Sequence, residues 1–481
     1  MPGTLPAAAR HLLMVLPTGD EWCAATESDL AAATLARRGK QAADLATTVV
    51  AVQLSGGALA SWVRVDPAAP TFERHTALRR ALAPLLAENP TRLDVVLWGD
   101  EQWRRSVAPD AAYVAAVNAP AMPSRKRSDG PVTVEQVVVH GAPDAAAVAA
   151  AGHVAAGNVL CRQLTVEPAN VVTPATYRAE LRQLAVANGW ALREWNRARL
   201  ERMGAGAFTA VARGSDHGDA AVVRLTYDGR PRGRGPAVAL VGKGLCFDTG
   251  GHTLKTGTSM FDMHHDMNGS AVAVGALLAA TRLKLPVRID AWLAIAQNHL
   301  SPTAYTPNEV VTALNGTTIE VTDTDAEGRM VLADTLFMAA REQPDLIVDF
   351  ATLTGAMWTA VGSRMSGVLS NRDEWAQRAV ALGATVGERL VAFPLPADYD
   401  ESLESKVADV KQCDHTTGKA DHILAGRFLG RFVDDRPWVH VDLSSVSHTG
   451  GLGAVAHDVN GTGVAWAVAL LRHLVDEQGG R

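Results

Sequence analysis

The stretch Val321–Met330, "VTDTDAEGRM", sets Asp323, Asp325 and Glu327 two residues apart and follows them with Arg329. In an extended segment, residues i, i+2 and i+4 point to one side. Asp325, Glu327 and Arg329 are therefore expected to face one way, past small Ala326 and Gly328. Carboxylates held side by side repel each other unless a cation sits between them. Taken alone, the pattern also fits a solvated acidic turn before a helix, so its surroundings decide. Downstream, "GRMVLADTLFMAAREQ" (Gly328–Gln343) reads as a helix and "DLIVDFATLTGA" (Asp345–Ala356) as a strand running out into a loop. Upstream, "AVALVGKG" (Ala237–Gly244) is a buried strand entering glycines, "GSAVAVGALLAATRLK" (Gly269–Lys284) a helix and "RIDAWLAIAQ" (Arg288–Gln297) a strand. "WVHVDL" (Trp438–Leu443) adds another strand. This alternation is α/β. The polar residues cluster where strands run out, and there open α/β sheets place their sites.

The first part of the chain is α/β again, with strands in "ATTVVAVQL" (Ala46–Leu54), "RLDVVLWG" (Arg92–Gly99) and "VEQVVVHG" (Val134–Gly141) and a helix in "FERHTALRRALAPLLAE" (Phe72–Glu88). It holds no catalytic constellation. The Ala-rich "DAAAVAAAGHVAAGNVLCRQL" (Asp144–Leu164), opened by an Asp cap candidate, reads as a connecting helix. The expected organisation is a smaller N-terminal α/β domain over 1–143, a linker helix over 144–165 and a larger α/β domain with a mixed central sheet over 166–481. A length of 481 residues agrees with more than one domain.

Apolar residues make up 47%, charged residues 20%, and the net charge is -6, an ordinary globular balance with no basic block. That balance argues against nucleic acid as the main partner. Cys23, Cys161, Cys246 and Cys413 are far apart and form no C-x-x-C pair, which fits reduced thiols in a cytoplasmic protein. The apolar run Leu12–Pro17 is too short for a signal-peptide core, and no apolar run is long enough to span a membrane.

Two further clusters stand beside the opening one. "VGKGLCFDTGGHTLK" carries Lys243, Asp248 and Lys255 among glycines; "MFDMHHDMNGSA" carries Asp266 just before a helix. Buried Lys and Asp at strand ends are costly unless paired or metal-bound. A pool of Asp248, Asp266, Asp325 and Glu327 repels itself strongly, and a pair of divalent cations about 3.5–4 Å apart resolves such repulsion in many hydrolases. Oxygen-rich ligation leaves Mg, Mn and Zn open. Singly, Lys243 fits a salt bridge, Asp266 a helix cap, Arg329 a solvated helix start and Asp262 a surface residue. His264 and His265 are adjacent, a placement that rarely converges on one ion. No H-E-x-x-H, G-x-S-x-G, P-loop or G-x-G-x-x-G is present.

These clusters resemble the leucyl (cytosol) aminopeptidase family. Asp323–Arg329 is similar to its N-T-D-A-E-G-R signature, and "VGKGLCFDTGG" to its G-K-G-x-x-F-D-[ST]-G-G. The spacing from Lys243 to Asp325 matches, as do "EPANVVTP", "GAFTAVARGS", "DFATLTGAM" and "NGTGVAWAVALL"; the resemblance covers roughly residues 155–475. It implies a two-metal aminopeptidase acting on peptides with leucine-like N-terminal residues. One ion would be held by Lys243, Asp248, Asp266 and Glu327, the other by Asp248, Asp325 and Glu327, as Zn or Mn with Mg also compatible. Lys255 would steady the oxyanion, and Arg329 would hold a bicarbonate ion as general base. Met263, Thr352, Leu353 and Gly355 match positions that shape the pocket for the N-terminal side chain. The resemblance further implies a homohexamer with its active sites facing an interior cavity. Some relatives also bind DNA, which leaves a non-peptidase role on the same fold as the alternative; a two-metal phosphatase is a third reading. The chain departs from the family pattern at Asp323, where Asn is usual, and at His264-His265, where Lys-Tyr is common. Asp323, on the same side of an extended segment as Asp325, is expected to favour a basic second residue in the peptide.

Overall fold

A computed structural model describes residues 9–19, 27–127, 130, 132–215 and 218–479. The chain divides into two compact units, Met1–Val159 with Ala384–Glu388 and His448–Asn460, and Leu160–Gly383 with Arg389–Ser447 and Gly461–Arg481. The helix Ala145–Val166 runs through the point where the first gives way to the second. Its entry is capped as the sequence suggests: Asp144 Oδ1 accepts the backbone N–H groups of Ala146 and Ala147, each at 3.0 Å.

The first unit holds a five-stranded sheet in the order Val50–Gln53, Leu59–Val65, His11–Pro17, Arg92–Leu97, Gln136–His140. Only the first pair is antiparallel. The apolar run Leu12–Pro17 is the middle strand of this sheet, buried along its length, and Met14, Leu16, Val50, Trp62 and Val96 belong to one core. The helices Thr71–Leu86 and Glu101–Asn118 accompany it.

The second unit is built on an eight-stranded mixed sheet. Its order is Leu390–Ala392, Ser366–Ser370, Trp438–Asp442, Leu346–Ala351, Ala237–Asp248, Arg288–Asn298, Ala221–Asp228, Ala191–Asn196. The central four strands run parallel, and antiparallel strands flank them. Strands covered on both faces read as continuous apolar runs, which is how Ala237–Asp248 and Arg288–Asn298 read. Along the first of these, Ala239, Val241 and Leu245 share a core with Met330, Val331 and Leu336 of the helix Glu327–Ala340. The neighbouring Gly242 abuts the helix Asn268–Arg282, where an added Cβ would lie 2.4 Å from Ser270 Cα. Since alternate residues of a strand face opposite ways, the two helices cover opposite faces of this strand. The chain is thus α/β with two parts and a mixed sheet in the larger one.

Among the described residues no helix is long and apolar enough to cross a membrane. Cys161, Cys246 and Cys413 are buried; Cys23 lies outside the described residues.

Candidate metal centre and active site

The site forms at the carboxyl ends of the central parallel strands. Ala237–Asp248 supplies Lys243 from its interior and Asp248 from its last position. A register shift against the neighbouring strand falls between Leu245 and Asp248, the kind of irregularity that re-aims a side chain beside a site. The chain then turns through Gly250 (φ 83°) and Gly251 (φ 63°). Both conformations disfavour L side chains, and a Cβ on Gly250 would lie 2.4 Å from the Thr253 carbonyl oxygen. This turn brings Lys255 back over Asp248. Asp266 comes from the short 3-10 turn Met263–Met267 ahead of the helix Asn268–Arg282.

Asp325 sits in a turn locked against the glycine loop. Thr324 Oγ1 donates to the Gly250 carbonyl at 2.7 Å and accepts the Thr253 N–H at 2.7 Å. Asn298 donates to both Asp248 Oδ1 (2.8 Å) and the Thr324 carbonyl (3.0 Å), and Tyr305 donates to the same carbonyl at 2.8 Å. Neither Asn298 nor Tyr305 carries a motif that sequence reading would single out. Both lie in segments distant from the signature and act through buried hydrogen bonds.

The side chains converge as two lysines among four carboxylates. Lys243 Nζ lies 2.8 Å from Asp266 Oδ2 and 2.8 Å from Glu327 Oε1, and it donates to the Thr352 carbonyl at 3.0 Å. Lys255 Nζ lies 2.6 Å from Asp325 Oδ1 and 3.0 Å from Asp248 Oδ2. Acidic oxygens of Asp248, Asp325 and Glu327 fall within 4.8 Å of one another. Burial, reinforced by Glu327 and Asp248, pushes the Asp266 carboxyl up to about 8 against the pull of Lys243. Burial and the same two neighbours push Asp325 up to about 7, and Glu327 is raised in the same way by burial and Asp248. Burial alone would lower both lysines, but the surrounding carboxylates outweigh it and hold both ammonium groups well above their ordinary range. Asp266 Oδ2 and Asp325 Oδ1, though close to lysines, are buried without a well-formed hydrogen bond. Crowded carboxylates that would rather be protonated are the donor set a divalent cation satisfies.

These groups form one end of a cavity of about 340 Å³. The rest of its lining mixes apolar Met263, Leu353, Trp358, Leu443 and Val446 with Asp262, His265, Thr352, Thr354, Gly355, Ser444 and Ser447. All four residues expected to shape the side-chain pocket, Met263, Thr352, Leu353 and Gly355, line this cavity. Trp358, 60% exposed and also on the wall, is a residue the motif reading passed over. Asp442, buried at the end of Trp438–Asp442, accepts the N–H groups of Leu353 (3.1 Å) and Thr354 (3.4 Å) and the Thr354 hydroxyl (2.7 Å), fixing that wall.

Three expectations change. The signature is not extended: Thr324 and Asp325 form a turn, and a helix starts at Glu327. Two residues apart on a helix are about 200° apart, so Glu327 faces the cavity and Arg329 does not line it. Arg329 is instead buried against Gln412 and Asp421. Asp323 also stays out of the cavity lining; its Oδ1 accepts the Asp325 N–H at 2.8 Å and so shapes the turn. The adjacent histidines do converge: in their tight turn, Asp262, His264 and His265 bring ligand atoms within 4.8 Å of one another, and Asp262 and His265 line the cavity.

Residues 159–469 match the model of the cytosol aminopeptidase family, catalytic domain. The chain belongs to the cytosol aminopeptidase family. It is 42% identical to the probable cytosol aminopeptidase of Syntrophotalea carbinolica over 335 residues, which is 69% of this chain and 66% of that protein. It is 39% identical to the protein of the same description from Rhodopseudomonas palustris, over 68% of this chain and 64% of that one. The matched region thus spans just under two thirds of these curated relatives. Among solved structures it is similar to the bottromycin maturation enzyme BotP in complex with Mn, with 32% identity, a TM-score of 0.84, and coverage of 97% of this chain and 100% of that one. The likeness therefore reaches beyond the matched catalytic region into the N-terminal part.

Proposed function

We propose that this family member is a two-metal aminopeptidase that hydrolyses the N-terminal peptide bond of peptides and prefers leucine-like first residues. The observation that carries the reading is the ring of four carboxylates and two lysines in a cavity that also offers the apolar side chains of Met263, Leu353, Trp358, Leu443 and Val446. Lys243, Asp248, Asp266 and Glu327 would hold one divalent ion and Asp248, Asp325 and Glu327 the other, with Zn or Mn favoured and Mg compatible with the oxygen donors. Such ions would polarise the scissile carbonyl and acidify a water molecule.

The chain's own residues do the rest. Lys255 reaches across Asp248 and Asp325 and is protonated, so its Nζ can donate to the oxygen on which charge develops. With no metal bound, the ammonium of Lys243 lies between Asp266 and Glu327 and sets their spacing; to serve as a ligand it would have to give up its proton, which a nearby divalent cation favours. Met263, Leu353 and Trp358 offer apolar surface to the first side chain of the peptide, and Gly355 leaves open space beside them. The Asp442 clamp on Thr354 holds that wall in place. The reading extends to a homohexamer working in the cytoplasm, with residues 166–481 as the catalytic part, 144–165 as a linker helix and 1–143 as a variable N-terminal part.

The test is a chelated sample, reloaded with Mn or Zn and offered a panel of aminoacyl amides beside phosphoesters. Hydrolysis of leucyl amide should vanish on chelation and return on reloading. Full activity in metal-free protein, or cleavage of phosphoesters alone, would refute it. Light scattering reports the oligomer independently.

A further inference from the structure

We propose that Arg329 carries its anion within the chain: the Asp421 carboxylate occupies the guanidinium that the family resemblance gives to bicarbonate, and this protein needs no such ion. The inference rests on the aminopeptidase reading of the neighbouring cavity.

The geometry starts from the helix Glu327–Ala340, whose first turn sends Glu327 to the cavity and Arg329 away from it. Arg329 is 1% exposed. Its Nη1 donates to the Gln412 carbonyl at 2.9 Å, and its Nη2 donates to Asp421 Oδ2 at 2.7 Å. Asp421 opens the helix Asp421–Leu429, and the first turn of a helix favours a carboxylate. The pair is electrically complete. A bicarbonate on the same buried guanidinium would lie beside Asp421, whose side chain is 25% exposed, as a like charge that solvent screens only in part. Nε is buried and has no hydrogen-bond partner, but it offers one N–H, not the two-pronged edge that an oxyanion grips best.

The pair also has a structural use that ties it to the site. The Gln412 side chain accepts the Thr322 N–H at 2.8 Å and donates to the Ala326 carbonyl at 3.2 Å, bracketing the turn that presents Asp325. Arg329 holds the backbone of that same Gln412. Asp421, by fixing Arg329, is therefore a positioning residue for Asp325 and Glu327.

The experiment measures ¹³C-bicarbonate binding to metal-loaded protein by NMR line broadening, and in parallel follows leucyl amide hydrolysis in bicarbonate-free buffer with and without added bicarbonate. Wild type should neither broaden the signal nor change its rate. Asp421→Asn, which removes the charge and keeps the shape, should bind bicarbonate and, slow in bicarbonate-free buffer, recover several-fold on its addition. Bicarbonate binding or several-fold stimulation in wild type overturns the proposal, and that arm needs no variant to fold. An Asp421→Asn protein that folds, neither binds bicarbonate nor responds to it, and keeps its full rate overturns it as well. The binding arm does not depend on turnover, so absence of hydrolysis on every aminoacyl amide would sink the function reading while leaving the anion question answered.

Discussion

Replacing Gly328 by Ala tests whether Lys243 belongs to the metal centre. An added Cβ would lie 2.8 Å from both Cε and Nζ of Lys243 and 2.9 Å from Leu353 Cδ1. Gly328 sits in the first turn of a helix without a positive φ, so the backbone accepts Ala, with a propensity gain of up to about 1 kcal/mol. What remains is the side-chain clash. Relief to an ordinary contact of roughly 3.5 Å requires the end of the lysine to retreat by about 0.7 Å. Its three partners stand at 2.8, 2.8 and 3.0 Å, so a retreat of that size carries at least one of them out of good hydrogen-bond range. Breaking a buried pair costs about 3–5 kcal/mol. Allowing for the helix gain and partial relaxation, the metal-free variant should lose about 2–3 kcal/mol of stability. If Lys243 is a ligand, metal affinity should fall by at least about 10–100-fold, the loss typical of disturbed outer contacts alone. Denaturant midpoints on metal-free protein, competition titration with a fluorescent chelator and kcat/KM on leucyl amide read the three effects. A Gly328→Ala protein with wild-type metal affinity and wild-type stability would refute the placement of Lys243 among the ligands.

Other outcomes follow from the same geometry. Lys255→Ala should lower kcat by about 10²–10³, the loss expected for one oxyanion donor, while metal content measured by mass spectrometry stays full; Asp325→Ala should lose metal as well as rate. Because Asp266 and Asp325 are raised to about 8 and about 7 in the folded chain, protons compete with metal below those values, so apparent metal affinity should climb from pH 6 to pH 8; a flat profile would remove the crowded carboxylates from the ligand set. Asp323→Asn keeps an oxygen for the Asp325 N–H and should leave the ranking of Leu-Lys, Leu-Ala and Leu-Glu peptides unchanged, against the expectation drawn from an extended segment. Asp334→Ala removes the acceptor for the N–H groups of Phe208 (2.8 Å) and Leu314 (2.7 Å) in the buried core, and each orphaned donor costs about 1–3 kcal/mol, visible as a lower melting temperature with unchanged substrate ranking.

What the sequence made legible, and what it hid, divides along one physical line. Asp248, Asp266, Asp325, Glu327 and both lysines could be grouped from the chain alone because buried charge is costly and glycines mark where the backbone must turn tightly. The strands Ala237–Asp248 and Arg288–Asn298 were legible because burial on both faces leaves unbroken apolar runs. The strand His11–Pro17 gives the same short apolar signal, yet its role as the middle strand of its sheet, parallel to both neighbours, depends on partners remote in sequence, Leu59–Val65 and Arg92–Leu97. The direction of Arg329 is hidden in the sequence for a different reason. A period of two holds only while the chain is extended, and the helix begins at Glu327, between Asp325 and Arg329. That one change of backbone state turns Arg329 away from the cavity and towards Asp421, a residue about ninety positions later that no local pattern connects to it. The same switch explains Asp323: with Asp325 in a turn, the carboxylate two residues earlier is placed to accept its N–H, the ordinary habit of Asp at turns, and its charge is used on the backbone instead of on the substrate. The acidic ring of Asp248, Asp266, Asp325 and Glu327 is therefore set by a strand end, a 3-10 turn, a tight turn and a helix start, while the signature's remaining charged residues hold that arrangement from behind.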